Sequence, residues 1–277
     1  MVETDNKTYQ TQKTDSKSYE KGYGIFLTRT NFREKILTSF NESLPQVIYA
    51  KKIVQILDVG CGNGKMSSKY LESITASSPG IEIDLYLIEP AEESLKSACL
   101  EVNDFTRSVT VFNTSIEEFV KLHGGMKFDI IIASYVFYHT DPDIITKLAA
   151  CLSSMGSLAI MMGTGKHPLR SHPVLKEISK HGDTNLLEAP LINLKSSGNY
   201  QISRNEVITD VDLKGFWKDD VLSPEGEDFF SFIFNNEIVT FSNQQLTALN
   251  ETLSRIFNNE DGIIHPIHEL IWIERGV

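Results

Sequence analysis

From residue 53 onward the chain alternates short apolar runs with amphipathic segments. The runs are "IVQILDV", "IDLYLIE", "VTVFN", "FDIIIAS" and "SLAIMMG". Continuous apolar runs bounded by turn residues are what strands need when a parallel sheet is covered on both faces. Between them, "AEESLKSACLEV" places Leu95, Ala98, Cys99 and Val102 at i, i+3, i+4 and i+7. "DPDIITKLAACL" does the same with Ile145, Leu148, Ala149 and Leu152, so both read as helices with one apolar face. Asp141 is expected to cap the second helix, with Pro142 at its first position, where a missing N–H is harmless. Residues 53–163 therefore read as five strands with crossover helices, an α/β doubly wound sheet.

After Gly165 the alternation stops. "QISRNEVITDVDL" predicts a strand near residues 200–212, and "HELIWIER" predicts a closing apolar strand; both are expected to complete the sheet. In "SNQQLTALNETLSRIF", Ser242 and Gln245 form a capping-box pattern ahead of the stripe Leu246, Leu249, Leu253 and Ile256. At the other end, residues 1–18 are polar and aperiodic, which predicts a disordered tail. Phe32, Ile36 and Phe40 fall at helical spacing before Pro45, so residues 19–52 read as a helical cap. The expected organisation is a core over 53–165, about 199–212 and 266–277. Residues 166–198 and 213–262 would then fold as a substrate-binding or lid region.

Composition narrows the function. The chain of 277 residues is 41% hydrophobic and 23% charged, an ordinary soluble globular balance. No apolar run is long enough to cross a bilayer, and the polar N-terminus lacks the apolar stretch of a secretion signal; a cytoplasmic protein with no membrane partner is expected. Cys61, Cys99 and Cys151 show no metal-ligand spacing and read as reduced thiols, and no metal site is indicated. The net charge of −11 disfavours nucleic acid, whose non-specific binding rests on Lys and Arg neutralising phosphates. It mildly favours cationic small molecules through steering.

The candidate chemistry sits in "QILDVGCGNGK", residues 55–65. Alternating glycines after a strand let the backbone turn tightly and approach a ligand, with helix N–H groups pointing at it. Two ligands compete, a dinucleotide and S-adenosylmethionine (SAM). The dinucleotide fingerprint needs a third glycine where Lys65 stands. Asp58, ending the strand, would oppose a pyrophosphate but suit a cationic amino group; SAM carries an ammonium and a sulfonium and no phosphate. Glu89, ending the second strand, can accept hydrogen bonds from both ribose hydroxyls. Asp58, the Gly60, Gly62 and Gly64 turn, and Glu89 together resemble the first two motifs of class I SAM-dependent methyltransferases. That resemblance implies a Rossmann-like, mostly parallel seven-stranded sheet, SAM as cofactor and S-adenosylhomocysteine (SAH) as product. Ser94, in "EPAEESL", joins the cofactor candidates. From strand order, Thr114 and Ser115 fall near the adenine edge, and Ala133, Ser134 and Tyr135 at the carboxyl end of the fourth strand, where open α/β sheets bind ligands. Thr114 and Ser115 read equally as turn or cap residues.

"KSYEKGYGIFL", "ILDVGCGNGK", "PGIEIDLYLIEPAEESL", "FDIIIASYVFYHTDP" and "ELIWIE" together resemble the family of histamine N-methyltransferase and its small-molecule relatives, over roughly residues 17–275. The resemblance implies a monomer that holds a neutral amine nitrogen in line with the methyl group of SAM. It places Tyr19 and Tyr23 at aromatic positions of the cap, and His139 at an aromatic-wall position, the first candidate for contacting substrate. Three positions depart from the family: Asn31 or a neighbour stands for an acid, Tyr135 for a Gln and His265 for an Asn. A different substrate from histamine is the expectation, because hydrogen-bonding sites reject mismatched partners. His139, Tyr135 and His265 are the catalytic candidates; His268 flanks the last strand with His265, and a surface or loop role is the ordinary alternative for each histidine. Tyr19, Tyr23, Asn31, Tyr138 and Trp217 are the substrate candidates, with Phe216 a further pocket aromatic and core packing the alternative; Phe137 and Trp272 read as core. The function expected is methylation of a small molecule at an amine nitrogen. O-methylation of a carboxylate or phenol, with Lys166, His167 and Arg170 as donors, is an alternative. So are a SAM-cleaving or cyclising enzyme of the same fold and a SAM-sensing module.

Overall fold

The structure is a computed structural model and describes residues 16–178, 184–219, 221–259 and 261–276. Five parallel strands, β1 (Ile53–Val59), β2 (Glu82–Ile88), β3 (Ser108–Phe112), β4 (Phe128–Ser134) and β5 (Leu152–Gly163), are joined by β6 (Tyr200–Ile208) and β7 (Ile267–Arg275) in one sheet. Its order is β3-β2-β1-β4-β5-β7-β6. β1 pairs in parallel with both β2 and β4, so the strand order reverses at β1. β7 lies antiparallel between β5 and β6. The helices are α1 (Ser16–Arg29), α2 (Phe32–Glu42), α3 (Val47–Ala50), α4 (Lys65–Ser77), α5 (Glu92–Val102), α6 (Ile116–His123), α7 (Ile144–Ala150), α8 (Pro173–Ile178), α9 (Glu188–Ser196), α10 (Pro224–Phe234) and α11 (Asn243–Asn259).

Because side chains alternate across a strand, each central strand feeds two cores. Leu57 and Val59 of β1, Ile131 of β4 and Leu158 and Ile160 of β5 pack with Phe119 of α6, Ile145 and Leu148 of α7, and Leu191 and Leu194 of α9. The intervening positions face the other way. Met161 of β5 takes a contact from the Tyr70 hydroxyl of α4. Trp272 of β7 stacks on Phe40 of α2 at 5.5 Å and donates its indole N–H to Ser43 Oγ at 2.9 Å, so a large apolar ring is buried with its one polar atom satisfied. At the opposite end of the strands, the buried Asp129 carboxylate accepts from Lys51 Nζ (2.7 Å), Ser153 Oγ (2.7 Å) and the Gln55 N–H (3.1 Å). Asp129→Ala leaves these donors without their shared anion, and a loss of about 3 kcal/mol of stability is expected in urea unfolding.

The chain divides into two compact units, one of Met1–Arg29, Leu169–His181 and Asp212–Ile264, the other of Thr30–Pro168, Gly182–Val211 and His265–Val277. The second holds the sheet. In the first, α1 packs on α10: a Cβ at Gly22 would stand 2.4 Å from the Asp228 carbonyl oxygen, and Tyr23 and Phe26 each meet the Phe232 ring at 5.5 Å. Phe216 is fully buried against Phe229 and Phe230, with the Arg29 guanidinium 4.8 Å above its ring.

Several boundaries differ from the sequence expectation. The tail assigned to 1–18 falls mostly outside the described residues, and α1 already begins at Ser16. The cap assigned to 19–52 is divided, α1 belonging to the first unit and α2 to the second, because the two helices bury their aromatic residues in different cores. Residues 182–198, assigned to the lid, belong with the sheet, since the leucines of α9 fill its core. The strand expected over 200–212 stops at Ile208. Asp141 does not cap α7: its carboxylate accepts from the Asp143 N–H in a turn, and the helix starts at Ile144. The Ser242–Gln245 capping box forms in both directions.

Candidate functional site

The strand order reverses at β1, and doubly wound sheets bind ligands outside the carboxyl ends of their strands at such a point. The glycine turn follows β1 at that end. Gly60, Gly62 and Gly64 all have positive φ (67°, 54° and 79°), the left-handed region that only glycine enters without cost. Close packing adds a second requirement at two of them. A Cβ on Gly60 would lie 2.3 Å from Val136 Cγ1, and one on Gly64 2.5 Å from Ala98 Cα. Around Gly62 nothing lies within 4 Å of where a Cβ would stand, so that backbone faces open space. The Gly60 and Cys61 N–H groups donate to the Ile88 carbonyl at 2.8 and 3.2 Å, tying the turn to β2. Gly64 then leads directly into α4.

Two carboxylates flank this turn. Glu89 Oε2 accepts from the Gly62 N–H at 3.1 Å and Oε1 from the Ala91 N–H at 2.9 Å, leaving lone pairs on both oxygens for further donors. Asp58 is almost fully buried, and burial pushes its pKa up to about 6. The Ser67 hydroxyl, short of good hydrogen-bond geometry but close enough to favour the anion, acts against that rise, and the Glu89 charge adds to it. Burial and the same two carboxylates push the Cys61 thiol well up, which disfavours the thiolate form that a nucleophile needs. A site of this kind repels phosphate and attracts a cation. The residues fit SAM: an open backbone cradle at Gly62, a buried carboxylate for a cationic group and a second carboxylate with free lone pairs for ribose hydroxyls.

The remaining cofactor candidates divide. Ser134, at the end of β4, lies 3.3 Å from the Tyr70 hydroxyl. Ala133 is completely buried in the core cluster. Ser115 caps α6 by accepting from the Glu118 N–H, and Thr114 donates to the Glu118 carboxylate at 2.8 Å, the cap reading of both residues. Ser94 is half-buried in the first turn of α5.

Past β4 the chain enters a strained turn. Tyr135 has φ 59°, a conformation that costs a non-glycine residue of order 1–3 kcal/mol and concentrates at functional sites. Its N–H is held by the Met161 carbonyl at 2.9 Å. Its hydroxyl lies 2.8 Å from His268 Nδ1, and His268 Nε2 lies 3.2 Å from Thr209 Oγ1. Phe32 closes the group, 5.0 Å from the Tyr135 ring and 5.1 Å from the His268 ring. Next along the chain from Phe32 and Thr209 stand Asn31 and Asp210. Asp210 accepts from Asn31 Nδ2 at 2.6 Å and pairs with His265 Nδ1 at 2.8 Å, while the Asn31 side-chain oxygen takes the Asp210 N–H at 2.8 Å. The substrate candidate Asn31 and the catalytic candidate His265 are thus joined through an acid that the sequence reading did not select. Tyr138 accepts from the Gly163 N–H at 2.9 Å.

Asp210 is a residue the sequence reading missed, and His268 was named there beside His265 without being chosen as catalytic. A histidine two places into a final strand and an aspartate after a strand carry no motif, and only sheet register brings them to Tyr135 and Asn31. Tyr23 and Trp217 lie in the first unit. Tyr23 is 38% exposed, whereas Trp217 gives its indole N–H to Asn250 at 3.2 Å and packs on Phe257. Phe216, taken as a pocket aromatic, is buried core. Tyr19 lies in α1 and His139 in a short 3-10 turn; their side chains lie outside the described residues. Among the described residues there is no cluster of three or more metal-ligating side chains, and no helix is long and apolar enough to cross a membrane.

The methyltransferase domain family matches residues 57–158. Histamine N-methyltransferase A of Xenopus laevis is 24% identical over 170 residues, 55% of this chain and 57% of that protein. An uncharacterized protein of Haemophilus influenzae is 27% identical over 117 residues, 42% of this chain and 43% of its own length. The chain spans about half the length of the curated relatives it matches. Among solved structures, the plantazolicin methyltransferase BpumL, in complex with a triazolic desmethylPZN analog and SAH, superposes with a TM-score of 0.50 at 18% identity. The match covers 95% of this chain and 92% of that one. The fold is that of class I methyltransferases, a mostly parallel, Rossmann-like seven-stranded sheet.

Proposed function

We propose that the chain transfers the methyl group of SAM to a small molecule, at an amine nitrogen, a reading supported by the match of residues 57–158 to the methyltransferase domain family. The observation that carries the reading is the pair of carboxylates, Asp58 and Glu89, on either side of a glycine turn open at Gly62. Bound SAM supplies an electrophilic methyl group on a positively charged sulfur. Asp58 would hold its cationic amino group, Glu89 its ribose, and the Gly62 backbone its approach. Transfer is a displacement in which positioning contributes most, on the order of 7–11 kcal/mol. Tyr135 and Asn31, both half-buried, and the exposed His265 would line the acceptor side.

Nitrogen is favoured over a carboxylate oxygen by the fate of the cations. A carboxylate acceptor needs positive donors, yet Lys166 is paired with Glu206 at 2.9 Å and Arg170 donates to the Ile233 carbonyl at 2.9 Å. The exposed Asp210–His265 pair and the net charge of −11 suit an ammonium group instead. The partial likeness to a histamine N-methyltransferase points the same way.

The test is mass spectrometry of the purified protein with SAM and a pool of low-molecular-weight amines that includes histamine, beside a control with SAM alone. An amine heavier by one methyl, appearing with SAH, is the expected result. SAM breakdown in the control would replace the reading with SAM cleavage, and binding without turnover would replace it with sensing.

A further inference from the structure

We propose that the chain pairs with a second copy of itself along the outer edge of β6, in place of the monomer that the family resemblance implies, so that two sheets join into one. β6 ends the sheet, with β7 on one side and no strand on the other. It pairs with β7 along all of Tyr200–Ile208 without a bulge and contains no proline, and a regular edge of that kind is a template for another strand.

The two ends of β6 fix which backbone groups face outward. The Thr209 N–H reaches the Pro266 carbonyl at 3.1 Å, and the Asn199 carbonyl takes the Gly276 N–H at 2.8 Å, both continuing the register of β6 on β7. In an antiparallel pair, alternate residues exchange bonds with the neighbour and those between them point away. The odd-numbered residues of β6 therefore face β7. The N–H and C=O groups of Ile202, Arg204, Glu206 and Ile208 face outward, and no other described segment bonds to them. Gln201, Ser203, Arg204, Asn205, Glu206 and Ile208 are all exposed.

Charge then selects the occupant and the register. An outward residue can bond only to an outward residue, so a two-fold axis between antiparallel copies must pass through a residue of β6 and not between two. Centred on Arg204 or on Glu206, the axis sets like charges directly opposite, which is destabilising. Centred on Ser203 or Val207, it sets a charge against an isoleucine. Centred on Asn205, it sets Arg204 against the partner's Glu206 and Ile202 against the partner's Ile208, each twice, so the strand is complementary to itself. Ile208, 56% exposed, is then covered, and roughly eight backbone hydrogen bonds join the copies, two for each outward pair. Arg204 and Glu206 already have partners in the chain, Glu188 at 2.7 Å and Lys166 at 2.9 Å. The remaining guanidinium donors and carboxylate lone pairs leave room for the cross-strand contact. In the sheet order β1 lies four strands from this edge, so pairing leaves the glycine turn clear.

The test needs neither cofactor nor acceptor, so its outcome is separate from that of the methyltransferase reading. Sedimentation equilibrium of the full chain, from about 1 to 500 µM, is expected to show a monomer–dimer equilibrium. Glu206→Arg, which sets arginine against Arg204, should weaken it at least tenfold. Glu206→Pro should abolish it, because proline removes an outward N–H that the chain itself does not use and an edge strand tolerates it there. Asn205→Cys reads the register directly. At the axis Asn205 would face its own copy in a non-hydrogen-bonded pair, about 4.5 Å between Cα atoms, within the range a disulfide spans. Oxidised glutathione should therefore cross-link Asn205→Cys but not Gln201→Cys, with the wild type as the blank for its own cysteines. A monomer at every concentration would overturn the proposal. So would a dimer indifferent to both Glu206 variants, which would place the interface elsewhere, the β3 edge included, and so would equal cross-linking at 201 and 205. If Glu206→Pro loses its circular dichroism spectrum, Glu206→Arg and the cross-link decide.

Discussion

Asp58→Asn should weaken SAM and SAH binding about 100-fold and, in the same protein, raise the stability of the ligand-free fold. The two effects have one cause. The Asp58 carboxyl is buried at the end of β1, and its pKa is raised from 3.8 to about 6, so the folded state holds its proton more tightly than the unfolded chain does. Below pH 3.8 both states are protonated and the group contributes nothing. Between pH 3.8 and 6 the unfolded chain ionises first, and the folded state loses relative stability as pH rises. Above pH 6 the whole penalty is present, at most about 3 kcal/mol. Asparagine carries no charge to desolvate, so a gain of about 1–2 kcal/mol is expected at pH 7.5, after allowing for its buried amide, and none at pH 4. Urea unfolding at the two pH values measures it. Binding runs the other way, because a cation beside Asp58 favours the anion. Wild-type affinity should fall by up to tenfold per pH unit below about 6, while Asp58→Asn binds weakly and without that slope, as calorimetry with SAH at pH 5 and pH 7.5 would register. An acid kept charged at a cost to the fold is the expected signature of a binding group. A variant that is less stable at pH 7.5 and binds SAH normally would make Asp58 a structural residue.

What could be read from the sequence follows from how local the physics is. Uninterrupted apolar runs such as "FDIIIAS" became β4 at the expected residues, because burial on both faces leaves no polar position to blur the pattern. The glycine turn was equally legible, since positive φ demands a residue type and the demand recurs at every second position. The division between the two units was not. Residues 188–196 have no marked apolar face, and α9 enters the sheet core through Leu191 and Leu194, a fact of register that no local window contains. The site beyond β4 was half legible. Tyr135 could be chosen from its place at a strand end, but His268 reaches it from a residue 133 positions away, and its sequence neighbour His265 carried the same composition signal. Asn31 was selected as a stand-in for an acid; the acid beside it, Asp210, comes from the far end of β6. Short-range signals located the cofactor side, and long-range pairing decided the acceptor side.

Two alanines placed in the same turn should separate folding from binding. At Gly64 the φ is +79° and a new Cβ would stand 2.5 Å from Ala98 Cα and 2.9 Å from its Cβ. Those neighbours belong to the backbone of α5 and cannot swing away. The left-handed conformation costs alanine about 1–2 kcal/mol and the overlap about 1–3 kcal/mol more. Gly64→Ala should therefore lose about 3–4 kcal/mol of stability in urea unfolding. At Gly62 the φ is +54° but nothing lies within 4 Å of the new methyl, so only the conformational cost applies, about 1 kcal/mol. The same methyl would occupy the space into which the cofactor backbone must come, next to the N–H that Glu89 holds. A well-folded Gly62→Ala protein that binds SAH at least tenfold more weakly is the expected outcome. Undiminished affinity would mean that the cofactor does not lie over Gly62, and the carboxylates at Asp58 and Glu89 would then need another ligand to explain them.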